Sequence, residues 1–312
     1  MKVLIADKFP EKYVEELRTQ GVEVAYEPGL GENDIPNHTE GINVIVVRST
    51  KVNAAALTSN DSIKVIIRAG SGYNNIDTAT ATEKGIAVAN TPGKNAIAVA
   101  ELAMGLIISL DRKIPSNVSD FNNGVWNKAT YSKSNGLYGK TLGVVGLGNI
   151  GRELATRAAA FGMKIKGFDI VEVKHPNVEY TTDLEALVAE SDVISLHLPS
   201  NDKTKGLFGE KMFGLMKKGT LLVNTSRPQV VNEEALLKAI EEKNIVAGFD
   251  VFNNEPESKS GDVSSPLQNN ANIYITHHIG ASTNQAQEAV AEETVKIINT
   301  FKSNNEVLNK VN

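Results

Sequence analysis

Cysteine is absent from all 312 residues. That excludes disulfides, thiol nucleophiles and thiolate metal ligands, and it fits a cytosolic enzyme. Basic charge is not in excess either: 32 Lys and Arg stand against 37 Asp and Glu, a net charge of −5. Without a basic surface field, nucleic acid is excluded as an expected partner. Long apolar runs are missing too. The most apolar stretch, 96–110, is interrupted by Glu101 and falls short of a bilayer span, and the opening strand meets charge and Pro10 too soon for a secretory leader. A soluble, cytoplasmic protein without membrane contact is expected. No internal repeat or low-complexity segment is evident, and no metal site is expected. Tryptophan occurs once, and Trp126 reads as a packing anchor.

What remains is an ordinary globular composition, 41% hydrophobic and 22% charged, in a chain long enough for about two domains. The most informative stretch begins at Thr141. A short apolar strand leads into Gly146, Gly148 and Gly151 in the spacing G-x-G-x-x-G, and a helical pattern follows (Leu154, Ala155, Ala158, Ala159). In that context the glycines allow a tight turn, close approach of backbone to a pyrophosphate, and close packing of helix on strand. The helix then points its unpaired N–H groups at the pyrophosphate. Asp169 ends the next strand, near the offset of about 20 residues at which a carboxylate takes the ribose hydroxyls. A dinucleotide site is therefore expected here. No Arg follows Asp169, and its charge would repel a 2′-phosphate, so NAD is expected over NADP.

Short β-branched runs at 3–6, 22–26, 44–47, 65–67 and 86–89 alternate with helical segments, as do runs at 142–145, 164–168, 193–196, 220–224, 245–249 and 273–276. Such alternation predicts parallel, doubly wound sheets, and hence an α/β protein of two such domains. The second set is close to the six strands of a Rossmann sheet. The amphipathic helix predicted at 282–301 lies beyond a completed sheet, so docking it on the first domain is the simplest arrangement. The expected domains are 1–93 with 282–312, and 94–281. A cleft between them would hinge at the Asn90-Thr91-Pro92-Gly93 turn cluster and near Ala281.

Ligands of open parallel sheets bind beyond the carboxyl ends of the strands, and there the polar residues collect. Arg48-Ser49 and Arg68-Ala69-Gly70-Ser71-Gly72 follow strands of the first set. Thr225-Ser226-Arg227, Asp250 with Glu255, and His277-His278 follow strands of the second. Hydride transfer to a keto acid needs an Arg to hold the carboxylate and polarise the carbonyl, and a His to protonate the developing alkoxide. A carboxylate beside that His orients it and raises its pKa.

The glycine turn, the Arg loop, Asp250-Val251-Phe252-x-x-Glu255-Pro256 and His278-Ile279-Gly280 together resemble the D-isomer-specific 2-hydroxyacid dehydrogenase family over nearly the whole chain. Val47-Arg48-Ser49, Gly124-Val125-Trp126-Asn127-Lys128 and Gly280-Ala281-Ser282-Thr283 most resemble its phosphoglycerate-oxidising members, in a short form without a C-terminal regulatory domain. The resemblance implies two doubly wound domains, a Rossmann NAD domain and a flavodoxin-like substrate domain, with domain closure excluding water. It implies Arg227 as anchor, His278 as proton donor and Glu255 as its partner. It places Gly146, Gly148, Asn149, Ile150, Gly151, Asp169, Pro199, Thr204, Thr225, Ser226 and Asp250 along NAD, with Asp250 at the nicotinamide carboxamide. His197, at a strand end, reads as a wall of the same pocket. The backbone at Ser71 and Gly72 would take the substrate carboxylate, with Asn95 beside it. Arg48 with Ser49, and Arg68, are candidates for a substrate phosphate, since guanidinium forks suit phosphate. A surface ion pair is the plainer alternative for Arg48, and a helix cap for Asn95.

The implied reaction is NAD-dependent oxidation of 3-phospho-D-glycerate, the first step of serine synthesis, in a homodimer. The alternatives are a glyoxylate or hydroxypyruvate reductase, or an NAD-sensing binding protein resembling the C-terminal-binding corepressors. Two positions depart from the family pattern: Pro228 stands where glycine usually follows the catalytic Arg, and His277 where proline usually precedes the catalytic His.

Overall fold

A computed structural model describes residues 1–256 and 261–312. The chain forms two compact units, one of Met1–Asn95 with Ser282–Asn312 and one of Ala96–Ala281.

The first unit holds five parallel strands, β1 (Lys2–Ile5), β2 (Glu23–Tyr26), β3 (Val44–Val47), β4 (Val65–Arg68) and β5 (Ala87–Asn90), in the order β2-β1-β3-β4-β5. This is the flavodoxin-like order. Parallel strands covered on both faces must be apolar throughout, and all four residues of Val44–Val47 are buried. Alternate side chains serve opposite faces. Val3, Ile5, Val44, Val46, Val65 and Ile67 pack with Val14 and Leu17 of helix Glu11–Thr19 and with Ala291, Val295 and Ile298 of helix Asn284–Asn304. Leu4, Ile45, Val47, Ile66 and Val88 pack with Ala56, Leu57 and Ala81 on the other face. The last helix starts where Thr283 caps it, accepting the N–H of Ala286, and it stops at Asn305 in the left-handed region.

The second unit holds seven parallel strands. They are β6 (Thr141–Val145), β7 (Lys164–Phe168), β8 (Glu179–Thr181), β9 (Val193–Leu196), β10 (Leu221–Asn224), β11 (Val246–Phe249) and β12 (Ile273–Ile275). Their order is β12-β11-β10-β9-β6-β7-β8, the Rossmann arrangement, reversing between β6 and β9. One strand more is present than the pattern predicts. Glu179-Tyr180-Thr181 has no buried residue, and pairing with β7 at the sheet edge, not hydrophobic periodicity, makes it a strand. The apolar helix Ala96–Arg112 packs Ala100, Ala103, Leu106 and Ile107 against the sheet and against the helix that follows the glycine turn. This accounts for its being apolar on nearly all sides.

The expected role of Trp126 is corrected. Its side chain is 80% exposed, and Phe121 is 69% exposed. Helix Ile114–Asn122 buries no residue at all, so Trp126 anchors nothing within this chain. Among the described residues no helix is long and apolar enough to cross a membrane.

Candidate active site

The ladder register brings the second unit's candidate residues into one row. Val145 lies opposite Phe168 and Leu196, Leu196 opposite Asn224, Asn224 opposite Phe249, and Phe249 opposite Ile275. Because the strands are parallel, the next residue of each lies on the same rim: Gly146, Asp169, His197, Thr225, Asp250 and Thr276. Positions 23 to 51 residues apart along the chain become neighbours in this way.

The glycine turn is built for close approach. Gly146 has φ +98, and a Cβ there would stand 2.4 Å from the His197 carbonyl oxygen. A Cβ at Gly151 would stand 2.0 Å from the Gly146 carbonyl oxygen, whereas at Gly148 it would meet open space. Gly148 is the N-cap of helix Asn149–Ala160 and brings no side chain to its N–H groups. A bare helix start facing open space suits an anion. Asn149, in the first turn, accepts from the Arg152 guanidinium at 2.9 Å, and Ile150 beside it is partly buried.

Asp169 is oriented by two backbone N–H groups, Leu147 to one carboxylate oxygen at 2.7 Å and Ile170 to the other at 2.7 Å. Each oxygen keeps a lone pair for a ribose hydroxyl. Strand β8 contributes here, since the Tyr180 hydroxyl donates to the Asp169 carbonyl oxygen at 2.9 Å. Further along the rim, His197 Nε2 meets Ser195 Oγ at 2.9 Å. Its Nδ1 and Thr225 Oγ1 are buried with no partner. Buried polar atoms left unpaired are costly, so two at one rim mark where a polar ligand completes the site. Burial pushes the His197 pKa down to about 4. It is therefore neutral near pH 7 and serves as a wall of the site, not as its acid. Pro199 and Thr204 form a closed turn beside it, Thr204 Oγ1 donating to the Pro199 carbonyl at 2.6 Å. The bare helix start, the oriented carboxylate and the two orphaned atoms fit NAD.

The reacting groups occupy the other half of the rim. Arg227 has the extended backbone that a following proline favours, φ −140 and ψ 137, and Pro228 opens a short 3-10 turn. Asn224 braces this loop by accepting from Ser226 N and Oγ at 3.0 and 2.8 Å and donating to the Arg227 carbonyl at 3.0 Å. The Arg227 guanidinium donates to the Ser226 carbonyl at 2.7 Å. Burial lowers its pKa, and the charge of Glu255 opposes that shift.

His278 Nδ1 lies 2.7 Å from Glu255 Oε2, and Glu255 Oε1 accepts the Phe252 N–H at 3.0 Å. A carboxylate only accepts, so Nδ1 is the donor and Nε2 carries the exchangeable proton. The Glu255 hydrogen bond raises the His278 pKa against the opposing pull of burial, and the charges of Glu255 and Asp250 add to the rise. The imidazole is 56% exposed and open to a substrate. His278 also has φ +52, a strained backbone for a non-glycine residue. Asp250, 2% exposed, holds that loop in place. Its oxygens accept Thr276 Oγ1 at 2.6 Å, Ile279 N at 2.9 Å and Gly280 N at 2.8 Å. His277 is exposed, and no partner for its ring is found among the described residues.

In the first unit, Val47 lies opposite Arg68, so Arg48 and Arg68 leave neighbouring strand ends. The Arg48 guanidinium reaches Ser282 Oγ at 3.4 Å. Among the described residues no carboxylate pairs with it. Ser49 Oγ turns inward to Asp7 at 3.3 Å. Ser71 Oγ donates to Asn95 Oδ1 at 2.7 Å, and Asn90 Nδ2 to the Ser71 carbonyl at 2.6 Å, which orders the loop through Gly72. The Asn95 oxygen is thus taken by Ser71. Asp7 is not anticipated from the sequence, and Asn224 and Thr276 stand at strand ends there without an assigned role. Each acts on backbone or side-chain groups brought near by folding, and no short motif announces them.

A Rossmann sheet with a bare glycine-turn helix, a ribose carboxylate and an imidazole–carboxylate pair beside a half-buried arginine is the set of parts that nicotinamide-dependent dehydrogenases use. Comparison with known proteins narrows the class. Residues 104–280, more than half of the chain, match the NAD binding domain of the D-isomer specific 2-hydroxyacid dehydrogenases, and the chain belongs to that family.

The D-3-phosphoglycerate dehydrogenase of Methanocaldococcus jannaschii is 39% identical over 308 residues, covering 96% of this chain and 57% of that protein. The hydroxypyruvate reductase of Thermotoga maritima is 44% identical over 261 residues, covering 82% and 84%. The chain thus spans little more than half the length of the Methanocaldococcus jannaschii and Archaeoglobus fulgidus phosphoglycerate dehydrogenases. Among solved structures, the glyoxylate reductase of Paecilomyes thermophila superposes with a TM-score of 0.88 at 29% identity, covering 100% of this chain and 98% of that one. The NAD+-bound 3-phosphoglycerate dehydrogenase of Entamoeba histolytica gives 0.84 at 29%, with 100% and 98% covered.

Proposed function

We propose that this D-2-hydroxyacid dehydrogenase oxidises 3-phospho-D-glycerate to 3-phosphohydroxypyruvate with NAD as its cofactor. The observation that carries the choice of substrate is the pair of guanidiniums, Arg48 and Arg68, leaving neighbouring strand ends. Planar guanidinium forks at adjacent strand ends suit a phosphate dianion, which an unphosphorylated keto acid lacks. NAD, held by the glycine turn and Asp169, would supply the acceptor for the hydride from substrate C2. Arg227 holds the carboxylate and the C2 oxygen, stabilising charge on that oxygen in the transition state. His278 Nε2 takes the hydroxyl proton in oxidation and returns it in reduction. Glu255 fixes the imidazole and stabilises its protonated form. Asp250 keeps His278 in its left-handed conformation through the two N–H groups that follow. Asp169 favours NAD over NADP by repelling a 2′-phosphate, and the residues after it, Ile170 and Val171, offer no cation.

A second reading, reduction of hydroxypyruvate or glyoxylate, is favoured by the 44% identity to the Thermotoga maritima reductase. NADH oxidation by the purified protein with phosphohydroxypyruvate, hydroxypyruvate, glyoxylate and pyruvate separates the two. A kcat/KM at least about tenfold higher for the phosphorylated acid is expected, the discrimination of one charge-assisted phosphate contact. Equal or better turnover of hydroxypyruvate or glyoxylate would select the second reading.

The same proposal includes a homodimer. Val118, Phe121, Val125 and Trp126 are exposed on one short segment. The same unit presents a groove of about 480 Å³ lined by Leu102, Leu106, Pro115 and Ile273. A second copy can cover both. Sedimentation velocity is expected to show a dimer that Phe121→Glu combined with Trp126→Glu converts to monomer. A monomeric wild-type protein at micromolar concentration would contradict it.

A further inference from the structure

Two residues with no role assigned so far control where the guanidiniums stand. Asp7 follows β1 and is 5% exposed. Its Oδ2 accepts three consecutive backbone N–H groups, Arg48 at 2.7 Å, Ser49 at 3.0 Å and Thr50 at 2.9 Å, and its Oδ1 accepts Ser49 Oγ. Three N–H groups converging on one charged oxygen fix the backbone of residues 48–50. They also fix the direction in which the Arg48 side chain departs. On the neighbouring strand end the device is a missing side chain. Gly70 has φ +149, and a Cβ there would stand 1.5 Å from Arg68 Nη1 and 2.6 Å from Cζ. The guanidinium fills the space that any other residue at position 70 would occupy. The backbone conformation at Gly70 calls for glycine by itself, and the room left by the missing side chain is where the Arg68 guanidinium lies.

We infer that Asp7 and Gly70 are specificity-determining positioning residues, which hold Arg48 and Arg68 as a preset pair of forks for the distal phosphate of the substrate. This rests on the phosphorylated-substrate reading above. Holding both forks before binding spares the ordering of two long side chains when the dianion arrives. The contribution of Asp7 and Gly70 therefore falls on the phosphorylated substrate and not on the reacting end of the molecule.

The test is the ratio of kcat/KM for 3-phosphohydroxypyruvate to that for hydroxypyruvate. It is measured for the wild type and for Asp7→Ala, Asp7→Asn, Gly70→Ala, Arg48→Ala and Arg68→Ala. The arginine variants are expected to lower the ratio about tenfold or more, the loss of a charge-assisted contact. Asp7→Ala and Gly70→Ala are expected to lower it about fivefold or more, through KM for the phosphorylated acid and not through kcat. Asp7→Asn, which keeps an oxygen for the three N–H groups, should lower it less and stays informative if Asp7→Ala does not fold. The inference is overturned, with the phosphate reading intact, if the arginine variants lower the ratio while Asp7→Asn and Gly70→Ala keep the wild-type value. Equal loss on both substrates in the Asp7 and Gly70 variants also overturns it, since that marks a purely structural role. If the arginine variants leave the ratio unmoved, the phosphate reading and this inference fall together.

Discussion

Replacing His278 by asparagine is expected to lower kcat by roughly 10²–10⁴, the usual worth of a positioned general acid–base group, while His277→Ala stays within about threefold of wild type, as surface changes do. Asparagine is the informative substitution because His278 sits at φ +52, a region asparagine enters readily and alanine does not. The backbone strain is thus kept constant and only the imidazole is removed. The two histidines are adjacent and chemically identical, so their order in a motif is a weak reason to choose. Geometry supplies a stronger one. His278 is bonded to Glu255 at 2.7 Å, whereas His277 is exposed without a partner among the described residues. Steady-state turnover of both variants, with NADH binding checked by fluorescence, decides the matter. Loss of turnover in His277→Ala with activity retained in His278→Asn would reverse the assignment.

Arg227→Ala is expected to be as severe. Removing a donor that stabilises a developing oxyanion costs about 10²–10³ in kcat, and Arg227 also holds the substrate carboxylate, so KM should rise as well. The fall in kcat/KM should exceed about 10³. Arg227→Lys restores the charge but not the planar fork that meets a carboxylate through two parallel bonds. It should recover only a small part of the loss. Because burial lowers the Arg227 pKa, this cation is held in a partly desolvated place where its field is weakly screened. A variant retaining more than a tenth of wild-type kcat/KM would show that the carbonyl is polarised elsewhere.

Much of this arrangement is legible in the sequence. The strands of both sheets are β-branched runs buried on two faces, a pattern that parallel packing enforces. Their alternation with helices by itself leads to the doubly wound class. The glycine turn is legible because each of its glycines answers a separate steric demand, met at Gly146 and Gly151 by carbonyl oxygens 2.4 and 2.0 Å from where a Cβ would be.

Three features were not legible, each for its own reason. Strand β8 is three residues long and owes its existence to the backbone of β7. Trp126 reads as a packing anchor because tryptophan has so much surface to bury, yet 80% of it is exposed. Composition says that such a residue seeks cover, not whether this chain provides it. Asp7, Asn224 and Thr276 act through groups whose nearness depends on strand register or on loop closure. A carboxylate at position 7 and three N–H groups at 48–50 share no local pattern. Pro228 turns out to need no adjustment of the fold, because Arg227 is already extended.

The central claim is that Glu255 and His278 act as one acid–base unit, and the pH dependence of Glu255→Gln tests it most directly. In the reductive direction His278 must carry its proton. Activity is then full below the His278 pKa and is lost as pH rises through it. The Glu255 hydrogen bond raises that pKa, so removing the charge should move the falling limb of kcat/KM to lower pH. In the oxidative direction the rising limb should move to lower pH as well, since the base form becomes available sooner. A shift of both limbs toward acid, with a lower maximal rate, is the predicted result. Limbs that stay in place, or that move toward alkaline pH, would contradict the account.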